Sequence, residues 1–306
     1  MGSNNGRNYN GFELLSTNRF SNKALCITSI SRESFVTQKS EKILNKENKK
    51  FNESILYNKM SETFKEKPKD YNSILMNSKN LKNNINPNKF ELKIKNPKNK
   101  TNTNNIFIFD WDDTLFFASH LVEKTTGKVS QKYLTEVEKA KIKEIEDYTI
   151  KILNKALNKG IVFIITNSSQ GWVEACVEVY YKELIPLLSK VNVISARTLY
   201  EKKFPDNMEM WKIQAFTDLP KLFEIDKNIK TNIICLGDNN LEVKCGKKLA
   251  MEFNQCLLKT IKFRENPDLK ELIKQLNLID LEFMRIFNFP KSLCINVDKK
   301  NLTDKE

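Results

Sequence analysis

The run IFIFDWDDTLFF, residues 106–117, decides how the chain is read. Ile106 to Phe109 have the length and the β-branched and aromatic character of a buried strand. They run straight into Asp110, Asp112 and Asp113. Carboxylates at the tip of a buried strand lose hydration and repel one another, so the arrangement is costly unless a cation neutralises it. Outward from this stretch the same kind of run recurs, as IVFII (161–165), VNVI (191–194), NIICL (232–236) and LLKTIKF (257–263). Helix-length segments separate the runs. Residues 134–159 carry Leu134, Val137, Ile142, Ile145, Ile150, Ile152, Leu153 and Leu157 at mostly helical spacing and close on Gly160, and 267–286 read alike after Pro267. The alternation predicts a βαβ series. Its continuous apolar strands imply a Rossmann-like α/β fold, a parallel sheet flanked by helices on both faces.

In such sheets ligands bind off the carboxyl ends of the strands. The residues expected there converge in chemistry: Asp110, Asp112, Asp113 and Thr114 after the first run, Thr166 and Asn167 after the second, Gly237 and Asp238 after the fourth. An all-oxygen cluster without His or Cys suits magnesium, so the acids read as a metal site.

Bulk composition bounds the rest. The chain has 306 residues, 40% apolar content and 19 Phe, enough for a sizeable core. No secretory signal and no apolar run near membrane-span length is found, which gives a cytoplasmic or nuclear expectation. Met1-Gly2 opens like a myristoylation site, but Gly6 stands where that motif has Ser or Thr. Six scattered cysteines with no CxxC pair, and one His, indicate neither a zinc site nor a disulfide framework. Charge divides the chain: residues 1–104 hold 20 Lys or Arg and 9 Asp or Glu, so of the overall +13 only +2 belongs to 105–306. Residues 1–104 read as a disordered Asn/Lys/Ser-rich basic tail, 105–290 as the folded domain and 291–306 as a flexible C-terminus. The tail is either an arm for an acidic partner, nucleic acid or anionic lipid, or a tolerant linker of biased composition, the second being preferred. FELL (12–15) and SILY (54–57) are apolar islands in it, and Phe90–Ile94 has the pattern of an edge strand.

The string DWDDT resembles the DxDxT motif of the haloacid dehalogenase-like (HAD) hydrolase superfamily, and the resemblance extends over residues 105 to about 263. It implies a HAD-like core in which Asp110 is a nucleophile and Asp112 a general acid and base. Thr166 would be the second motif. Lys212 in MWKIQAF is the preferred third, because a helix starting near Asn207 would aim it at the strand tips; Lys202, Lys203 and Lys221 lie in the same interval. Gly237-Asp238 with Glu242 would be the fourth, Glu242 either reaching the metal through water or serving only its helix. Pumps of that family have Thr where this chain has Asp112, so the chain resembles the phosphatases. The resemblance implies Mg2+ bound by Asp110, the backbone carbonyl of Asp112, and Asp238, with Lys212 and Thr166 on the phosphoryl oxygens and Thr114, Asn167 and Trp111 as substrate-binding residues. Asp113 falls outside the motif and reads as a solvated or loop-fixing acid. Trp111, Trp172 and Trp211 flank the motifs and, with ISAR (194–197), resemble a protist branch of the family. Core packing is the preferred reading of Trp172 and Trp211, whereas Trp111 is expected to line the site.

Members of the family that act on small metabolites usually carry an inserted cap domain. The intervals from Thr114 to Ile161 and from Thr166 to Lys212 are too short for one. An uncapped site implies a phosphorylated macromolecule as substrate, protein ahead of nucleic acid, and hence a magnesium-dependent phosphomonoesterase. The competing reading is a non-catalytic binding or scaffold module docked by its basic tail.

Overall fold

The protein is described here from a computed structural model that covers residues 103–125 and 134–297. Residues 1–102 of the expected tail, with its FELL, SILY and 90–94 segments, lie outside these residues, as does everything after Val297. Six strands form one sheet: β1 (Thr103–Phe109), β2 (Ile161–Thr166), β3 (Asn192–Ser195), β4 (Lys230–Gly237), β5 (Cys256–Lys262) and β6 (Leu293–Asn296). Their spatial order is β3-β2-β1-β4-β5-β6, and every pairing is parallel. After β1 the chain winds outward through β2 and β3, then returns to lay β4 on the other side of β1. The topological switch therefore lies between β1 and its two neighbours, where α/β sheets open a crevice at the strands' carboxyl ends.

Two boundaries differ from the sequence expectation. Thr103 and Asn104 belong to β1, since they pair with Lys230 and Thr231, so the folded body starts before residue 105. Residues 293–296, expected to be flexible, form β6, because β5 offers a free edge on which Ile295 pairs with Ile261 and becomes buried.

Helices cover both faces. They are α1 (Ala118–Thr125), α2 (Glu136–Leu157), α3 (Trp172–Tyr180), α4 (Ile185–Leu188), α5 (Ala196–Tyr200), α6 (Met208–Thr217), α7 (Leu219–Leu222), α8 (Asn240–Ala250) and α9 (Leu269–Asn288). The period-2 alternation of β1 sends Phe107 and Phe109 into one core with α2, α3 and α9, and Ile106 and Ile108 into a second with α5, α6 and α8. Because both faces are buried, β1 shows no polar alternation and reads as continuous apolar sequence. Where the sequence suggested one long helix between Thr114 and β2 there are two, α1 preceding α2, tied by His120 Nε2 to Glu138 at 3.2 Å. Among the described residues no helix is long and apolar enough to cross a membrane, and the five cysteines are all free.

Candidate functional site

β1 and β4 end side by side, Phe109 opposite Leu236, and the Asp110 amide donates to the Leu236 carbonyl at 2.9 Å. Asp110 and Asp238 therefore emerge from adjacent strands at the switch point. Glu242 joins them from the first turn of α8, and the three carboxylates each bring an oxygen to within 4.8 Å of the others. The local sequence explains the turn. Asn239 caps α8, its side chain accepting from the Leu241 amide at 2.6 Å, and Glu242 Oε2 accepts from the Asn239 amide in return. A Cβ on Gly237 would lie 2.1 Å from Cγ of Glu242, so only glycine lets Glu242 fold back over the strand end.

Lys212 comes from α6, whose start is capped by Asn207 accepting from the Met210 amide. Its ammonium lies 2.7 Å from Asp110 Oδ1 and 2.6 Å from Glu242 Oε1 and is buried. Lys202, Lys203 and Lys221 are all exposed, which leaves Lys212 as the lysine of the site. Burial alone would lower the Lys212 pKa, but Asp110 and Glu242 more than reverse that and hold it well above the usual lysine range. Burial pushes Asp110 up to about 7 against the pull of Lys212. Asp238 is raised well above the carboxylate range by burial, with Glu242 and Asp110 adding to it. Burial is the larger cause of both rises, and the crowding of acidic groups around one ammonium adds to it.

Asp112 lives in a different environment. Its Oδ1 accepts from Trp172 Nε1 at 2.8 Å, and its Oδ2 faces Ser168 Oγ at 2.9 Å and Thr166 Oγ1 at 3.0 Å. Burial raises its pKa and these three neutral donors oppose the rise. Asp113, next along, takes a left-handed φ of 55°. Its carboxylate accepts from the Ser119 amide at 2.8 Å and bonds the Ser119 hydroxyl, fastening the start of α1. It is buried, so of its two readings the loop-fixing one matches its placement.

The remaining expected residues are distributed unevenly. Thr166 sits at the strand tip, but its hydroxyl is engaged by Asp112 and by the Ser168 amide. Asn167 is a strut: its Nδ2 donates to the Met208 carbonyl at 3.1 Å and so braces the helix that carries Lys212. Trp111 does not line the site. Its ring is fully buried, stacked on Phe116 at 5.5 Å, because the 112–116 turn folds back and shares the apolar side of β1; only its amide reaches the site, donating to Asp110 Oδ1 at 2.8 Å. The same turn buries Thr114 completely, with no hydrogen-bond partner for its hydroxyl among the described residues, so it presents nothing to a substrate. Trp211 is a core residue, its Nε1 satisfied by the Phe204 carbonyl. Trp172 is buried as expected but also holds Asp112, and Ser168 was not singled out at all. Ser168 lies in the bend after β2, where its amide donates to Thr166 Oγ1, so strand alternation gives no signal for it.

A cavity of about 240 Å³ opens at the other end of the sheet, lined by Thr103, Asn105, Asn232, Lys259 and Phe287, and is remote from this cluster. No family model, curated protein or solved structure matches the chain.

Proposed function

We propose that the chain is a magnesium-dependent phosphomonoesterase of the HAD type, acting through an aspartyl phosphate on a phosphorylated macromolecule, protein ahead of nucleic acid. The observation that carries the reading is the separation of two neighbouring carboxylates into different environments, Asp110 against the Lys212 ammonium at 2.7 Å and Asp112 among three neutral donors. Divided surroundings of this kind suit one carboxylate to nucleophilic attack and the other to proton transfer. Asp110 Oδ1 is taken by Lys212 and by the Trp111 amide, which leaves Oδ2 with its lone pairs free.

In the first step Asp110 Oδ2 attacks phosphorus, the ester P–O bond breaks, and the leaving oxygen takes the proton of Asp112. In the second, water attacks the acyl phosphate while giving a proton to the Asp112 carboxylate; the acyl P–O bond breaks, releasing inorganic phosphate and regenerating Asp110. Lys212 offsets charge on the phosphoryl oxygens throughout. The donor set fits Mg2+, being all oxygen with three buried carboxylates against one lysine. Asp110, Asp238 and the backbone carbonyl of Asp112 would hold it, and it would neutralise the phosphoryl oxygens as a Lewis acid. Glu242, with one oxygen on Lys212 and the other on the Asn239 amide, serves mainly to frame the lysine. The leaning toward macromolecules is supported by the connections: among the described residues, those from β1 to β2 and from β2 to Lys212 contain no inserted domain.

Hydrolysis of an aryl phosphate with Mg2+ tests the proposal. Asp110→Asn should abolish it. Asp112→Asn should lower turnover about 10²- to 10⁴-fold and let phosphate accumulate on Asp110, seen by intact mass after acid quench and lost on hydroxylamine treatment. Phosphopeptides should show higher specificity constants than sugar phosphates. Absence of turnover with every divalent metal, or covalent phosphate on another residue, sinks the assignment.

A further inference from the structure

The three donors on Asp112 are not chemically equivalent. The indole Nε1–H of Trp172 can only donate, so Asp112 Oδ1 is held as an acceptor whether or not the carboxyl carries a proton. Ser168 Oγ and Thr166 Oγ1 can each donate or accept. Thr166 already accepts the Ser168 amide at 2.9 Å, which turns its own hydrogen toward Asp112 Oδ2. The Ser168 hydroxyl has its one hydrogen bond among the described residues on Oδ2, and it can reverse when that oxygen gains a proton. Asp112 is thus clamped by a partner that cannot reverse on one oxygen and one that can on the other. Of Asp110, Asp112, Lys212, Asp238 and Glu242 it is also the most exposed.

The clamp is itself held from three directions. Gly171 takes a φ of 90°, a left-handed conformation open to glycine, and starts α3 so that Trp172 is its first residue. The Trp172 ring stands edge-on to Phe116 at 6.1 Å and is buried. The Ser168 carbonyl accepts the Ser195 hydroxyl at 2.6 Å, anchoring it to β3. The single N–H of the Trp172 indole is spent on Asp112 Oδ1 and the Ser168 hydroxyl on Oδ2, so the link of each to the reaction runs through Asp112.

We propose that Trp172 and Ser168 are positioning residues that fix Asp112 for proton delivery to the leaving group, with Oδ1 anchored by Trp172 and the exchanged proton carried on Oδ2. This rests on the phosphatase reading above. Fixing a general acid matters most when the leaving group is basic and needs its proton in the transition state.

The test measures kcat/KM, which reports the step that expels the leaving group, on two substrates: an aryl phosphate with an acidic phenol and a simple alkyl phosphate. Trp172→Phe keeps an aromatic ring and removes the donor; Ser168→Ala removes the hydroxyl and serves if the first variant does not fold. Each should lose about 10- to 100-fold on the alkyl phosphate and clearly less on the aryl phosphate. Combined with Asp112→Asn, neither should lower activity beyond Asp112→Asn alone, since a residue acting through Asp112 has nothing left to position. Wild-type values in both variants, equal losses on the two substrates, or additive losses in the double variants would each overturn the proposal. A wild-type protein that hydrolyses no phosphate ester fails earlier and overturns the phosphatase reading itself.

Discussion

Gly237 is the last residue of β4, directly before Asp238, and its missing Cβ is what admits Glu242. Gly237→Ala should displace the Glu242 side chain and loosen Lys212 with it. The expected cost is about 1–3 kcal/mol of overpacking, read by denaturant unfolding, together with a loss of the proposed phosphatase activity larger than the stability change explains. A variant as stable and active as wild type would show that Glu242 has another place to go. Lys259, in the middle of β5, poses a different residue-scale problem. It is 1% exposed, its ammonium donates to the Phe287 carbonyl at 2.6 Å, and it has no carboxylate partner among the described residues. Burial lowers its pKa to about 8. An unfolded lysine titrates near 10.4, so between about pH 8 and 10 the unfolded chain binds the proton that the folded chain has released, and stability rises with pH across that window. Below pH 8 both states are charged and the penalty stays in full. The free-energy difference between wild type and Lys259→Met should therefore shift by about 1–2 kcal/mol in favour of wild type from pH 7 to pH 10, after allowing for solvent at the cavity mouth. A difference that is flat across the window would mean the ammonium is better solvated than its burial implies.

At the scale of elements, the same device appears at two helix starts with different consequences. Thr135 and Glu138 form a capping box on α2, and Asn239 and Glu242 form one on α8. Only the second shares a carboxylate with the site, because Glu242 accepts from Lys212 with the oxygen its cap does not use. Thr135→Ala and Asn239→Ala should each cost about 1 kcal/mol of stability, but only Asn239→Ala should also lower the proposed phosphatase turnover. Chemical denaturation and steady-state assays on the pair check this; equal activities would show that α8 keeps Glu242 in place without its cap.

Over the whole molecule, the sheet is completed by a four-residue outer strand. β6 pairs residues Leu293–Asn296 with Lys259–Lys262 and buries Ile295 and Val297. Truncation after Ser292 would expose the edge of β5 along its length, an invitation to pairing between chains. The truncated protein should melt several degrees lower and associate, seen in thermal unfolding and light scattering, even though the site residues all lie before the cut. An unchanged melt would return the segment to the status of a dispensable end. The site depends on this larger frame, since β1 and β4 keep their tips adjacent only while neighbours on both sides hold the sheet's register.

The sequence by itself determined the parallel α/β class, five of the six strands and the gathering of Asp110, Asp112, Thr166 and Asp238 at one sheet edge, because local apolar runs and the side-chain period are properties of the chain alone. β6 was illegible: a run as short as SLCIN, half-exposed and without sustained periodicity, becomes a strand only when β5 presents an edge to it. Likewise Lys212 could be preferred from sequence but was singled out only by burial, since three other lysines shared its interval. The tertiary structure alone turned Trp111 and Thr114 away from the site and brought Trp172 and Ser168 onto Asp112, 60 and 56 residues away in the chain. Spacing along a strand says which side a residue takes. Which donor meets which carboxylate is decided by how separate elements pack, and that information is not local to any stretch of the sequence.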